Sequence, residues 1–116
     1  MSRYRVIASH TRTYADALSV MRGERVTVHK RDTEWPGWVW CENTTGTGGW
    51  LPERIISQVD ALNDVATIEE DFDTTELTTT RGEALEGATR ESGWIWLTNA
   101  AGHSGWVPEQ TVVVEG

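Results

Sequence analysis

The sequence predicts an all-β protein built as two tandem small five-stranded, partly open barrels. Three observations lead there: the chain copies itself once, its apolar residues alternate over short runs, and no run of about ten residues carries a helical stripe. The copying is read directly. Gly49-Trp50-Leu51-Pro52-Glu53 returns as Gly105-Trp106-Val107-Pro108-Glu109, and Gly37-Trp38-Val39-Trp40 returns as Gly93-Trp94-Ile95-Trp96, both at an offset of 56. Upstream, Leu18-Ser19-Val20-Met21-Arg22-Gly23-Glu24 matches Leu77-Thr78-Thr79-Thr80-Arg81-Gly82-Glu83 at an offset of 59. The first copy is therefore three residues longer between these blocks, a difference that falls in the charged stretch Lys30 to Pro36 and suits a surface loop.

Each element has a local cause. Arg25-Val26-Thr27-Val28-His29 alternates polar and apolar side chains, as a half-buried strand does. Trp38 to Cys41 and Trp94 to Leu97 are aromatic and β-branched, and each runs into a turn cluster, Asn43-Thr44-Thr45-Gly46 and Asn99-Ala100-Ala101-Gly102, which predicts a hairpin. After each Gly-Trp-x-Pro-Glu block, proline fixes φ and removes a donor, suiting one helical turn before a last strand, Ile55 to Val59 or Thr111 to Val114. Taken in chain order, the expected domains are residues 1–59 and 65–116, joined by a short linker at 60–64. Cores this small rest on their aromatic residues.

Composition excludes several classes. A single cysteine, Cys41, leaves no intramolecular disulfide and no cysteine-rich zinc site, and a buried structural thiol is expected. Residues 1–8 carry no long apolar core, so a cytoplasmic protein without a membrane span is expected. His10, His29 and His103 have no histidine or cysteine partners at ligand spacing, and no nucleophile stands with a base; no catalytic residue, metal or cofactor is assigned. The glycine-rich Thr45-Gly46-Thr47-Gly48-Gly49 is a turn, since no lysine or helix follows it for phosphate binding.

The ordered signals Leu-Ser-x-x-x-Gly-Glu, a Gly-Trp strand start and Gly-Trp-x-Pro, present twice, resemble the Src homology 3 domain across nearly the whole chain. The lengthened Glu34-Trp35-Pro36-Gly37-Trp38 resembles a variant type found in bacterial tandem proteins. The resemblance implies a binding module that takes proline-rich, extended peptides on an aromatic shelf, beside an acidic loop that attracts a ligand cation. In the first copy, Trp38, Trp50 and Pro52 stand at shelf positions, His10 replaces the first-loop tyrosine, Ser9 its aspartate and Ile55 the last shelf tyrosine. In the second, Trp94, Trp106 and Pro108 match, Asp71-Phe72 resembles the family's Asp-Tyr pair and Thr111 replaces the last tyrosine. The resemblance also places Cys41 and Leu97 toward the core. Trp38, Trp40, Trp94 and Trp96, on the opposite face, are thereby expected outside, Trp38 and Trp94 lining a groove and Trp40 and Trp96 packing on a loop or the neighbouring domain.

Charge separates the copies. Residues 1–59 carry eight basic against six acidic residues, a net +2, and residues 60–116 carry two against twelve, a net −10. The densest run is Glu69-Glu70-Asp71-Phe72-Asp73, followed by Glu76, and the resemblance makes it the cation-receiving loop. The expected function is a non-enzymatic adaptor in which the second copy presents Phe72, Trp94, Trp106, Pro108, Glu70, Asp71, Asp73 and Glu76 to a basic or proline-containing segment. His10, Trp38, Trp50 and Pro52 form a weaker or different groove in the first copy. Alternatives are nucleic-acid binding, opposed by the net charge of −8, cell-wall binding, and a purely structural tandem whose aromatic faces pack between the domains.

Overall fold

The computed structural model describes residues 2–32 and 34–115, with the backbone alone at Gln58 and Val59. It is nearly all-β. The first half holds β1 (Ser2–Val6), β2 (Ser19–Val20), β3 (Arg25–Arg31), β4 (Trp38–Glu42), β5 (Gly48–Pro52) and β6 (Ile56–Asp60). The second holds β7 (Val65–Ile68), β8 (Phe72–Asp73), β9 (Ala84–Glu91), β10 (Trp94–Thr98), β11 (Ser104–Pro108) and β12 (Val112–Glu115). Single 3-10 turns, Glu53–Ile55 and Glu109–Thr111, follow the two prolines as the sequence predicts.

The strands form two five-stranded sheets, ordered β5-β4-β3-β7-β6 and β11-β10-β9-β1-β12, and a short β2-β8 pair. The compact units are Asp16–Thr74 on one side and Met1–Ala15 with Thr75–Gly116 on the other. This corrects the boundaries 1–59 and 65–116: each copy has given its first strand to the sheet of the other. β7, the first strand of the second copy, lies between β3 and β6, while β1 lies between β9 and β12. The stretch expected as a linker is instead the turn of the β6–β7 hairpin. There Asp60 accepts from Leu62 N–H (3.0 Å) and Asn63 Nδ2 (3.0 Å), and those bonds hold its carboxyl below the usual carboxylate range.

Each unit has its own core. In the 16–74 unit it is Leu18, Val20, Val26, Val39, Cys41, Leu51, Ile55, Ala66 and Ile68, with Phe72, Val28 and Ile56 packed against it. In the other it is Tyr4, Val6, Leu77, Leu85, Ile95, Leu97, Val107 and Val112. Period-2 alternation puts these side chains on one sheet face. The third strand of each barrel skips one residue in its pairing, at His29 and at Ala88, which are equivalent in the repeat. Such bulges bend a strand so that it can serve both halves of a closed sheet.

The hairpin turns form as predicted. Asn43 Oδ1 accepts from Thr45 and Thr47 N–H, and Asn99 Oδ1 from Ala101 and His103 N–H. Gly46 and Gly102 follow in the left-handed region at φ 89° and 87°, where a side chain would be strained.

Candidate functional site

In the 16–74 unit the aromatic shelf starts at Trp38, which opens β4 and pairs with Pro52 on β5, while Trp40 pairs with Trp50. The ring of Phe72 stands 6.0 Å from that of Trp38 at 60°, an edge-on contact. Phe72 reaches it because β8 pairs with β2, Val20 opposite Phe72. Around it, Asp71 Oδ1 accepts from Arg22 N–H at 2.7 Å and Glu70 pairs with Arg54 at 2.7 Å, which ties the acidic run to this barrel. Lys30 Nζ lies 5.9 Å from the Trp50 ring centre.

In the other unit, Trp94 pairs with Pro108 and Trp96 with Trp106. His10 meets the Trp94 ring edge-on at 5.6 Å. Its Nε2 lies 2.9 Å from Glu76 Oε1, with both side chains mostly buried, and Thr13 Oγ1 donates to the same oxygen at 3.2 Å. Thr79 and His10 exchange backbone hydrogen bonds in the place where β2 and β8 pair in the first unit. Ser9 Oγ accepts from Arg81 N–H at 2.9 Å, the counterpart of Asp71 and Arg22.

The predicted shelf residues are therefore real neighbours but in different company. Phe72, Glu70, Asp71 and Asp73 join Trp38, Trp50 and Pro52, whereas His10 and Glu76 join Trp94, Trp106 and Pro108. Strand exchange is the reason, because each first loop travels with its first strand. The charges follow. The 16–74 unit holds five basic against twelve acidic residues, a net −7, and the other holds five against six, a net −1. The contrast of +2 and −10 in chain order does not describe either barrel.

Exposure adds two corrections. Cys41 and Leu97 face the core at 0 % exposure, as expected, yet Trp38 on the opposite face is covered to 6 % and Trp106 to 7 %. Trp50, Phe72 and Trp94 remain half-buried. Trp40 and Trp96, expected against a loop or the neighbouring domain, each meet the tryptophan opposite in their own sheet edge-on, Trp50 at 5.2 Å and Trp106 at 5.3 Å. Trp40 also lies over Gly48, where a Cβ would come within 2.6 Å of its ring. Burial pushes the Cys41 thiol up to about 11, so it stays protonated at neutral pH. Among the described residues no three His, Cys, Asp or Glu side chains are grouped to hold a metal ion, and no helix is long and apolar enough to cross a membrane.

No curated protein and no solved structure matches the chain. A family model described as a variant SH3 domain matches residues 3–59, in one continuous stretch that includes β1. The second copy lies outside that match, but its sheet, turns and bulge repeat those of the first. Domains of this kind are in general non-catalytic modules for protein–protein interaction. On that match and on the five-stranded sheets, residues 3–59 belong to the variant SH3 domain family.

Proposed function

We propose that the chain is a non-enzymatic adaptor whose 16–74 barrel binds a basic, extended, proline-containing segment of another protein. The observation that carries this is the position of the acidic loop: Glu69, Glu70, Asp71 and Asp73 flank Phe72, whose ring lies against Trp38. Phe72 and Trp50, both half-buried, offer apolar surface to the ligand, and the covered Trp38 backs Phe72. Four carboxylates, of which Glu70 is offset by Arg54, leave a local negative excess that draws a cationic ligand and orients it, the usual contribution of charge to recognition. Nucleic acid fits poorly, since neither barrel carries net positive charge and phosphate contacts need a basic track.

The test is a titration of the isotope-labelled chain with synthetic Arg/Pro-rich peptides, followed by amide and indole shifts. Shifts should gather at Phe72, the Trp50 indole and Glu69–Glu70. Glu69→Lys with Glu70→Lys should weaken binding by about tenfold or more, equivalent to roughly 1.4 kcal/mol, and Trp94→Ala should leave it within about twofold. Loss of binding in Trp94→Ala with the acidic substitutions neutral would remove the assignment.

A further inference from the structure

The register lets the exchanged strands be compared position by position. Tyr4 pairs with Leu85 as Ala66 pairs with Val26, and Val6 pairs with Val112 as Ile68 pairs with Ile56. The two slots differ in size. Tyr4 keeps 4 % of its surface exposed, so one barrel encloses a whole phenol ring; Ala66 keeps 1 %, so the other encloses a methyl group. The two barrels differ in volume at other positions as well. Where the 16–74 core has Val28 and Ile55, the other barrel has Gly87 and Thr111. Close packing makes such differences costly to ignore: the wrong strand leaves a void in one barrel and a clash in the other.

Polar partners agree with the packing. Arg90 Nη2 donates to Tyr4 Oη at 3.1 Å, but its equivalent in the other barrel is Arg31, paired with Glu53 as Arg90 is with Glu109. This contact therefore does not separate the barrels, and the discrimination lies in the next two pairs. Arg3 pairs with Glu86 at 3.3 Å, and the equivalent of Glu86 in the other barrel is Thr27. Glu70 pairs with Arg54, whose equivalent is Gln110. These exposed pairs are individually weak, so the core residues dominate.

We infer that Tyr4 and Ala66 are positioning residues for ligand specificity: they assign each first strand to the barrel of the other repeat, and so decide which tryptophan receives the acidic loop. The loops that travel with the strands are unlike. Glu69-Glu70-Asp71-Phe72-Asp73 occupies the positions of Ile7-Ala8-Ser9-His10-Thr11, four carboxylates against none. Strand choice alone moves that charge between Trp38 and Trp94. The specificity consequence rests on the reading of the acidic loop as a ligand loop; the strand assignment does not.

Both parts are tested in the 116-residue chain, as a monomer fraction in a Cys41→Ala background. Two reporter pairs are treated with a short thiol cross-linker: Arg3→Cys with Glu86→Cys, which reads the exchanged arrangement, and Arg3→Cys with Thr27→Cys, which reads the consecutive one. The first pair should cross-link and the second should not. Tyr4→Phe should keep that pattern, whereas Tyr4→Ala with Ala66→Tyr should shift cross-linking to the Thr27 pair. If that variant fails to fold, a chain in which Arg3-Tyr4-Arg5-Val6 and Val65-Ala66-Thr67-Ile68 trade sequences takes its place, with Cys at position 3. A pattern unmoved in the folded variant overturns the assignment, as does cross-linking of the Thr27 pair in the native sequence. With an Arg/Pro-rich peptide, the shifted indole should move from Trp50 to Trp106 along with the cross-link. A cross-link that moves without the indole leaves the strand assignment standing and rejects the acidic-loop reading.

Discussion

Thr79 is 2 % exposed, and among the described residues its hydroxyl oxygen has no hydrogen-bond partner. The equivalent position in the other barrel is Val20, a core residue of nearly the same shape. A buried hydroxyl without a partner loses its water bonds and gains nothing, at a cost of about 1–3 kcal/mol. Thr79→Val should therefore raise stability by about 1 kcal/mol and the thermal midpoint by about 4–8 °C. Calorimetry on the two chains checks this, and a lowered midpoint would show that the hydroxyl is bonded. Cys41 makes the opposite case, a residue already matched to its burial. Its thiol is raised from 9.0 to about 11, so the fold favours the neutral form. The sign follows: this contribution is whole below the unfolded pKa and is lost as pH rises through the folded one. Native protein at neutral pH should resist thiol reagents over the time in which the unfolded chain reacts fully, as a reagent assay with and without denaturant would show. Rapid native reaction would contradict the burial.

At the scale of elements, what the sequence made legible was local. Asn43 and Asn99, each followed by a turn glycine, mark hairpins because one side chain closes the turn onto its own backbone. Pro52 and Pro108 mark the single helical turns because the ring fixes φ. The inward direction of Cys41 and Leu97 was what the family resemblance implied, and alternation then put the tryptophans on the other face. The exchange was not legible in this way, since β1 and β7 have the same strand pattern and either would complete either sheet. What differs between the pairings is the size of Tyr4 against Ala66 and the exposed pairs of Arg3 and Glu70, and that comparison needs the register. The candidate site was misassembled for the same reason. Its aromatic residues do lie beside one another, but His10 meets Trp94 and Phe72 meets Trp38, whereas each was expected beside the tryptophan of its own copy. The covered state of Trp38 was likewise invisible, because alternation gives the direction of a side chain and not what lies over it.

For the whole molecule, exchange means that neither barrel is the product of one continuous repeat. The 16–74 unit spans the β6–β7 turn, and the other unit is closed by a strand that lies 78 positions before its next strand in sequence, Ser2–Val6 ahead of Ala84–Glu91 by the spacing of Val6 and Ala84. Leu62, in that turn, is 93 % exposed, so a protease recognition sequence can be placed there without burying it. Cleavage yields two pieces, one ending and the other beginning near residue 62. In a consecutive tandem the cut falls between finished barrels, and the pieces migrate separately unless other contacts hold them. In the exchanged arrangement each barrel contains strands from both pieces: β7 from the second closes the sheet of the first, and β1 from the first closes that of the second. The cut turns an intramolecular pairing into a bimolecular one, yet release still requires removing a central strand from each sheet. The cleaved protein should therefore elute as a single species at the size of the intact chain and separate only in denaturant. Two independently migrating pieces in native buffer would show that the repeats close their own barrels.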